Sequence, residues 1–372
     1  MSKLTKYKFS DLYVMSSGIS SSKEQAGHGS PFISFSTVFN NYFLPEELPD
    51  LMDTSLKEQE IFSVKKDDVF ITRTSETVDA LAMSCVAVKD YPKATFSGFV
   101  KRLRPKTTGI VYSKYIAFFL RSKYFRKVLD CNTIMTLRAS FNEDMFSFLY
   151  LYLPDYEEQV KIGDLLYKME MKIRSNNKIN DNLAAMAYDI YMHTFFSKKP
   201  NAKLKDILTE AEKSSIQVGE AKTSNGKYPF FTSGSTILKW NEPFVDGRNC
   251  FLNTGGNADV KFYVGKAAYS TDTWSVSAKS EMSDYLYLML FSIKPELDKK
   301  FFQGTGLKHL QKPLLKDRPI YVPEKMELET FNRQVMPMFD IISENTRENQ
   351  QLTSLRDWLL PMLMNGQATI SD

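Results

Sequence analysis

The residue types that most often carry catalysis or bind metals are few in this sequence and widely spaced. They are His28, His193, His309, Cys85, Cys131 and Cys250. Metal sites and disulfide frameworks need such residues at short, regular spacings, which these six lack. The common nucleotide-binding, hydrolase and metalloprotease motifs are absent as well. The sequence therefore predicts a recognition protein with no metal or cofactor of its own, rather than an enzyme.

Two pairs of asparagines hold positions at which hydrogen bonding is expected. Asn176 and Asn180 recur 169 residues later as Asn345 and Asn349. Each pair lies within a seven-residue repeat of mostly apolar residues, which is the pattern of a helix that pairs with another helix. We call these repeat residues the seam. They are Ile162, Leu166, Met169, Ile173, Asn176, Asn180, Leu183, Ala187, Ile190 and Thr194, and then Phe331, Val335, Met338, Ile342, Asn345, Asn349, Leu352, Arg356, Leu359 and Leu363.

The seam predicts two long helices that pair with each other in opposite directions. Each would cover about 40 residues, or roughly 60 Å. Antiparallel pairing is favoured because the segment between the helices then joins two neighbouring points and can be compact. It would place Asn176 near Asn349 and Asn180 near Asn345, where buried asparagines penalise slipped registers. The alternative is that the asparagines face solvent.

The sequence before each long helix predicts strands and a shorter helix in the same order, so the repeat extends beyond the long helices. Strands are predicted at 67–75, 81–88, 94–105 and 148–154, and again at 228–234, 249–256, 260–270, 273–278 and 317–323; helices are predicted at 113–129 and 281–293. We predict two α/β (α+β) modules with small sheets and a long antiparallel two-helix coiled coil, arranged as a pseudo-twofold repeat. The boundaries are 1–153 and 198–322 for the modules, and 154–197 and 323–372 for the central and C-terminal helices.

Charge is distributed unevenly along the chain, whose net charge is +4. The modules are basic and the helices acidic, so a polyanion would bind the modules. No apolar run of about 18 residues is present, so no membrane span is expected. The N-terminal residues lack the apolar stretch of a signal peptide, which favours a cytoplasmic location.

The order of these segments resembles the specificity (S) subunit of type I restriction–modification systems, over nearly the whole chain. The resemblance is carried by "LPDYEEQVKIGDLL" at 153–166, by "GKYPFFTSG" at 226–234, by "GTGLKHLQKPLLKDRPIYVP" at 304–323, and by "LRDWLLPMLMNG" at 355–366. "TLRASFN" at 136–142 occupies the place of "GLKHLQK". One departure is that the second helix begins "EKMELETFNRQV" and lacks the Glu-Gln pair of the first.

The resemblance implies a non-catalytic subunit with two target-recognition domains, each reading one half of a bipartite, asymmetric site on double-stranded DNA. The helices would set the unread spacer and dock two modification (methyltransferase) subunits. Those subunits would use S-adenosylmethionine, and restriction subunits would be ATP-dependent endonucleases that need ATP and Mg²⁺. The alternative is a coiled-coil scaffold that assembles partners without reading DNA.

The candidate DNA contacts are the polar and basic residues near predicted strand ends and turns. In the first module they are Arg73, Thr74, Ser75, Lys101, Arg102, Arg104, Lys106 and Arg138. In the second module they are Thr232, Ser233, Lys239, Trp240, Asn253, Lys308 and His309. The basic cluster from Lys101 to Lys106 could instead be a solvated strand edge, and Trp240 could be a core residue. Arg138 and Lys308 are interpreted as matching positions in the two repeats.

A second apolar stripe on the helices is left over once the seam is paired. It includes Leu165, Met186, Tyr191, Trp358 and Leu360. Exposed apolar surface on a helix pair is typical of a partner site, so these residues are assigned to the modification subunit. The alternative is that they pack against the modules.

Overall fold

The chain is described here by a computed structural model, which covers residues 3–75, 77, 80–132 and 139–370, with residue 132 described by its backbone only. Two compact units are found. Unit 1 comprises Met1–Lys172 and Leu352–Asp372, and unit 2 comprises Ile173–Gln351. Each unit contains one of the repeated modules and a part of each long helix.

Unit 1 is built from four small sheets and short helices. Its strands are β1 (Thr5–Lys8), β2 (Tyr13–Ser17), β3 (Ala26–Ile33), β4 (Asp50–Met52), β5 (Val69–Thr72), β6 (Thr74–Ser75), β7 (Ser84–Val86), β8 (Thr95–Phe96), β9 (Val100–Pro105), β10 (Ala139–Ser140) and β11 (Tyr150–Leu153). Its helices are α1 (Phe9–Leu12), α2 (Phe35–Asn40), α3 (Leu56–Ile61), α4 (Ser113–Phe119), α5 (Lys123–Asn132), α6 (Glu143–Phe148) and the first part of α7 (Tyr156–Thr194), with a 3₁₀ turn at Lys23–Gln25. The strand orders are β2-β9-β5-β7, β4-β3-β8, β1-β11 and β10-β6.

Unit 2 repeats this plan. Its strands are β12 (Ala202–Lys203), β13 (Leu208–Glu210), β14 (Tyr228–Phe231), β15 (Leu238–Trp240), β16 (Arg248–Asn253), β17 (Val260–Val264), β18 (Ala268–Tyr269), β19 (Thr273–Ala278), β20 (Phe302–Gln303), β21 (His309–Leu310) and β22 (Pro319–Ile320). Its helices are α8 (Leu204–Ile207), α9 (Val218–Thr223), α10 (Ser283–Ser292), α11 (Lys294–Glu296), α12 (Lys312–Lys316) and most of α13 (Lys325–Met364), with a π-helical turn at Leu297–Phe301. The strand orders are β13-β19-β16-β17, β15-β14-β18, β12-β22 and β20-β21.

The larger sheets of the two units share topology and register, whereas β10 pairs with β6 in unit 1 and its counterpart β21 pairs with β20 in unit 2. In both four-stranded sheets all neighbours are antiparallel, and in both three-stranded sheets one pair is parallel, β3 with β8 and β14 with β18. Thr72 pairs with Val100 in unit 1, and Asn253 pairs with Thr273 in unit 2, at the same ends of matching strands. The predicted repeat is therefore confirmed, and the register gives each residue of one sheet a counterpart in the other.

The asparagines pair across α7 and α13 within unit 2. Asn176 Nδ2 donates to Asn349 Oδ1 (2.9 Å) and to Glu348 Oε2 (2.7 Å), and Asn345 Nδ2 donates to Asn180 Oδ1 (2.8 Å). The earlier residue of one helix meets the later residue of the other, so the helices run antiparallel. The predicted direction and both predicted pairings are confirmed. Asn176 is 1% exposed, so the alternative in which it faces solvent is wrong.

The seam continues inside the core of each unit. In unit 1, Ile162 and Leu166 of α7 are buried in one cluster with Leu363 of α13. In unit 2, Phe331 and Val335 are fully buried in one cluster with Ala187, and Ile190, Met338 and Ile342 pack against its edge. No helix in the described part of the chain is long and apolar enough to cross a membrane.

Arg356 is the charged member of the seam, and unit 1 supplies it with partners. Its guanidinium lies 3.0 Å from Glu170 Oε2 and over the ring of Tyr42, 5.1 Å from the centroid. Both charged side chains of the ion pair are mostly buried. The seam therefore holds one buried ion pair in unit 1 and asparagine pairs in unit 2.

Gln159 fixes the start of α7 against the module of unit 1. The side chain is fully buried; its Oε1 accepts the N–H of Tyr112 (3.0 Å), and its Nε2 donates to the carbonyls of Ile110 (3.0 Å) and Pro154 (2.9 Å). The second helix has Leu328 at the same point of the repeat, and that side chain is buried in an apolar core. An apolar contact thus replaces the polar one where the second helix lacks the Glu-Gln pair.

The helix predicted at 113–129 is wrong as a single element, because α4 and α5 are separated at Leu120–Ser122. Ser122 Oγ donates to the carbonyl of Phe119 (2.6 Å) and accepts the N–H of Phe125 (3.3 Å), which ends one helix and caps the next. The Arg121 guanidinium donates to the carbonyls of Val38, Phe39, Asn41 and Ser84. These four bonds hold the break in place, and an amphipathic pattern cannot reveal them.

Two of the residues assigned to a partner subunit are buried. Tyr191 is 4% exposed in the core of unit 2, and Leu360 is 9% exposed in the core of unit 1. The partner assignment is wrong for both, because their own unit covers them. Leu165 is half-buried against the core of unit 1, whereas Met186 is 52% and Trp358 65% exposed.

The asparagine pairing predicts a non-additive effect on stability. Asn176→Ala should lower the free energy of unfolding by about 1–3 kcal/mol, because the half-buried side-chain oxygen of Asn349 loses its donor. Replacing both Asn176 and Asn349 by leucine should restore part of that loss, since neither polar group then remains. Urea unfolding followed by circular dichroism measures both effects. Asn182→Ala on the exposed face of α7 is the control, and a double variant less stable than Asn176→Ala would contradict the pairing.

Candidate nucleic-acid interface

Corresponding loops leave the central sheets of the two units. In unit 1 the N–H of Arg73 donates to the carbonyl of Phe99 (2.9 Å), and its carbonyl accepts the N–H of Phe141 (2.8 Å). Thr254 makes the same two hydrogen bonds in unit 2. Its N–H donates to the carbonyl of Asp272 (3.0 Å), and its carbonyl accepts the N–H of Leu310 (3.0 Å). Arg73 and Thr254 are therefore counterparts. Each loop lies between the turn that leads into β9 or β19 and the short strand before α6 or α12.

In unit 1 this loop forms one side of a shallow groove with aromatic walls. Arg73 is exposed, and its Nη1 lies 3.4 Å from the carbonyl of Gly98. Thr74 and Ser75 are half-buried. The groove has a volume of about 520 Å³ and is lined by Phe35, Phe39, Thr74, Ser75, Thr77, Ala80 and Phe99. Phe99 is 66% exposed. Hydroxyls and exposed aromatic rings beside a guanidinium can contact base edges, thymine methyl groups and phosphates.

In unit 2 the corresponding recess is polar. It has a volume of about 460 Å³ and is lined by Glu210, Ala211, Glu212, Lys213, Thr254, Thr271, Asp272, Thr273, Trp274, Ser275 and Lys312. Asp272, the counterpart of Phe99, is exposed, and its carbonyl also accepts from Ser233 Oγ (2.8 Å). The same place in the fold thus offers aromatic rings in unit 1 and mixed charges with hydroxyls in unit 2.

The sharpest contrast between the units involves one pair of positions. Lys101 pairs with Ile71 in unit 1 and Trp274 pairs with Leu252 in unit 2, so Lys101 and Trp274 are counterparts. Lys101 Nζ lies 3.6 Å from Glu143 Oε1 at the start of α6. Lys312 Nζ, at the start of α12, lies 4.8 Å from the centroid of the Trp274 ring, where burial lowers the pKa of the lysine. An anion therefore begins the short helix in unit 1, and a cation begins it in unit 2.

The DNA-contact assignment of the basic cluster on β9 is corrected by the structure. Lys101 is 6% and Arg102 9% exposed, and Arg102 Nη1 donates to the carbonyl of Ser63. Arg104 forms two hydrogen bonds with the buried carboxylate of Asp68, at 2.7 and 2.6 Å, which raise the pKa of Arg104. These three cations are already engaged within unit 1, so they are not phosphate contacts. The solvated strand edge is wrong too, because β9 lies between β2 and β5.

Lys106 is the fourth member of that cluster and differs from the rest. It lies just beyond β9 and is exposed. Its assignment as a DNA contact stays a prediction.

Two predicted contacts of unit 2 hold the loop rather than face outward. Asn253 is 5% exposed; its Nδ2 donates to the carbonyls of Ser233 (3.0 Å) and Asn257 (3.1 Å). Thr232 is also 5% exposed, and its Oγ1 accepts the N–H of Gly234 (3.1 Å). Asn253 and Thr232 are therefore corrected to supporting residues. Ser233 is half-buried beside them, with its hydroxyl engaged as described above.

Trp240 and Lys239 lie on β15 and are both half-buried. The Trp240 ring packs 5.8 Å from that of Phe230 at the edge of a small apolar cluster. This contact favours the core interpretation of Trp240 over stacking on DNA. The DNA contact proposed for Lys239 stays a prediction.

The match between Arg138 and Lys308 is shifted by one residue. Phe141 and Leu310 make equivalent backbone bonds, so the counterpart of Lys308 is Ala139. Arg138 itself lies outside the described residues. Lys308 is half-buried with Nζ 3.3 Å from Asp298 Oδ2, and His309 is exposed on β21.

The residues that distinguish the two loops are not among those predicted from the sequence. Phe35, Phe99 and Asp272 are neither basic nor hydroxyl-bearing, which are the side-chain types that predict DNA contacts most directly. The sequence nevertheless contains a signal. The segment "FISFST" at 32–37 spans the end of β3, and "FFTSGS" at 230–235 spans the end of the matching strand β14. An alignment of these two turns places Phe35 beside the candidate site.

Comparisons with known proteins agree with this architecture. A family model described as "Type I restriction modification DNA specificity domain" matches residues 2–185 and again 198–354. The chain is 21% identical to the type I restriction enzyme MjaIX specificity subunit of Methanocaldococcus jannaschii, over 77% of this chain and 76% of that protein. It is 22% identical to the HindI specificity subunit of Haemophilus influenzae, over 90% and 94%. The crystal structure of an S subunit from M. genitalium has the same fold, with a TM-score of 0.66, 13% identity and coverage of 97% and 96%.

The corrected roles of the unit 1 arginines predict different effects on stability. Arg104→Met should lower the free energy of unfolding by about 3 kcal/mol, because the buried carboxylate of Asp68 loses its partner. Arg73→Met should change it by no more than about 0.5 kcal/mol, since Arg73 is exposed. Chemical unfolding of the full chain measures both. Equal stability of the two variants would contradict the assignment.

Proposed function

The chain belongs to the family of type I restriction–modification DNA specificity proteins, and on that premise we propose that it is the non-catalytic subunit that selects the DNA site of such a complex. The site would be bipartite and asymmetric, with one half read by each unit. The observation that carries this proposal is the pair of counterpart loops. One fold occurs twice, but with Arg73 and Phe99 in one copy and Thr254 and Asp272 in the other. A shared scaffold with different side chains at one place is what two different half-sites require.

The reading role falls to side chains that the structure leaves accessible. In unit 1 these are Arg73, Thr74, Ser75 and Phe99. In unit 2 they are Thr271, Asp272, His309 and Lys312. Lysine or arginine at a guanine edge, carboxylate at a cytosine amino group and apolar contact with a thymine methyl are the pairings that such residues make. The two sets therefore favour different bases.

Two modification (methyltransferase) subunits and restriction subunits are the proposed protein partners. S-adenosylmethionine, ATP and Mg²⁺ would be bound by those partners, not by this chain. The exposed Trp358 of α13 and Met186 of α7 support protein docking on the helices, because large apolar side chains on a helix surface usually meet a partner. The paired helices are also proposed to set the length of the unread spacer, since their register is fixed by the asparagines.

Changing one loop should alter one half-site only. Each base that is no longer recognised should cost about 1–3 kcal/mol of binding free energy. Arg73→Ala with Phe99→Ala should have this effect in one half-site, and Lys312→Ala should have it in the other. Binding by the chain together with its modification subunits is measured on duplexes that carry substitutions in either half. Lys168→Ala on an exposed face of α7 is the control. Weaker recognition of both half-sites by either variant would contradict separate readers.

Lengthening both helices should lengthen the recognised spacer. Seven residues inserted at matched seam positions of α7 and α13 add roughly 10 Å of helix, or about three base pairs. The same insertion in one helix alone breaks the pairing and should abolish specific binding. Spacer length is read from selection on duplexes with randomised gaps. A double-insertion protein that kept the original gap would refute the spacing role.

A further inference from the structure

A second recess lies in unit 1, apart from the candidate DNA loop. It has a volume of about 550 Å³ and is bounded by the turn before β5, the segment after β9 and the facing surfaces of α4 and α7. This volume is within the range of small-molecule sites. None of its lining residues also lines the aromatic groove of unit 1.

Five cations and one carboxylate, that of Asp67, line the recess, and part of the positive charge has no acidic partner. Lys65, Lys66 and Lys106 line it and are exposed, and none of the three forms an ion pair with a described residue. Arg104 and Lys114 also line it, but these are paired with Asp68 and Asp164. Three unpaired ammonium groups around one concavity create a field that attracts an anion.

The wall beside Lys106 provides neutral donors. The backbone N–H groups of residues 107–109 make no hydrogen bond to any described residue, and the hydroxyl-bearing side chains of Thr107 and Thr108 are exposed. Gly109 has φ +79°, a conformation that glycine adopts without strain. Successive free N–H groups beside lysines are the donor set that phosphate oxygens use.

Three tyrosines, Tyr112, Tyr156 and Tyr167, also line the recess. Tyr112 and Tyr156 lie with their ring centroids 6.0 Å apart, and Lys114 Nζ stands 4.2 Å from the centroid of Tyr167. Tyr156 is 37% exposed. A flat aromatic ligand can stack on such rings. Phosphate donors and tyrosines in one recess suit a nucleotide better than a bare anion.

Only part of this charge recurs in unit 2, although the scaffold does: Lys106 has a lysine counterpart, Lys279, and the other lysines of the recess do not. By the register of the central strands, the counterparts of Lys65 and Lys66 are Asp246 and Gly247. Lys114 follows the first serine of α4, and at the same point of α10 stands Asp284. Most of this charge is therefore a property of unit 1, which separates the recess from the loops that both units share.

We propose that this recess of unit 1 binds a nucleoside phosphate, with its phosphate at Lys65, Lys66, Lys106 and the 107–109 backbone and its base against the tyrosines. The proposal does not rest on the DNA-reading function. The site belongs to unit 1, although the central sheets of the two units follow one arrangement.

Calorimetric titration of the full chain with adenosine 5′-monophosphate tests the site. One equivalent should bind, adenosine without phosphate should bind at least about tenfold more weakly, and Lys106→Glu should weaken binding of the nucleotide by a similar factor. Lys279→Glu is the matched control. The N–H of Lys106 donates to the carbonyl of Leu12 at the end of α1, and the N–H of Lys279 donates to the carbonyl of Ile207 at the end of α8. Lys279 is therefore the counterpart of Lys106 in unit 2.

Three results would overturn the proposal. They are no binding of the nucleotide at millimolar concentration, equal weakening by Lys106→Glu and Lys279→Glu, and binding of a random DNA duplex to the recess without binding of the nucleotide. Lys66→Glu is a second variant in the recess and should behave as Lys106→Glu does. Thermal unfolding of each variant shows that it is folded.

Discussion

The hydrogen bonds between asparagines of α7 and α13 are the interaction on which the rest of the structure depends. Apolar heptad positions alone permit several registers, since sliding by seven residues again matches apolar with apolar. The pairs Asn176–Asn349 and Asn345–Asn180 remove that freedom, because any other register separates these amides from each other and leaves the buried amide group of Asn176 without its acceptor. In unit 1 the buried Arg356–Glu170 pair adds a second polar constraint on the same two helices. One register is thus strongly preferred, at some cost in stability relative to an all-apolar seam.

The chain contains one sheet arrangement twice, once in each unit. The residues that form it are apolar and need only fill volume, so the two copies can share topology with little shared sequence. Side chains on the loops do not have to fill the core, and their chemical types differ between the two copies. The contact of Lys101 with Glu143 in one unit and of Trp274 with Lys312 in the other shows how far a single position can diverge without disturbing its strand.

Elements with a strong period could be predicted from the sequence, and those held by distant contacts could not. The heptad repeat predicts both long helices, the compact connection between them favours the antiparallel direction, and that direction sets the asparagine register. The sequence does not identify the cations of β9 as internal, because alternation along a strand does not reveal whether the strand is central, nor that Asp68 lies opposite Arg104. Asparagine is common in exposed turns, but the side-chain amide of Asn253 donates hydrogen bonds to the carbonyls of Ser233 and Asn257. The break between α4 and α5 depends on hydrogen bonds that Arg121 donates to the carbonyls of Val38, Phe39, Asn41 and Ser84. These four residues are remote from Arg121 in the sequence.

We propose that this chain carries two dissimilar readers of DNA and that its paired helices set the spacing between the two halves of the site. The most direct test is selection from a pool of fully random duplexes by the chain bound to its modification subunits, followed by sequencing of the recovered DNA. The account predicts two short, unrelated motifs separated by a gap of constant length and random sequence. A single uninterrupted motif, two motifs at variable separation, or no enrichment at all would contradict it.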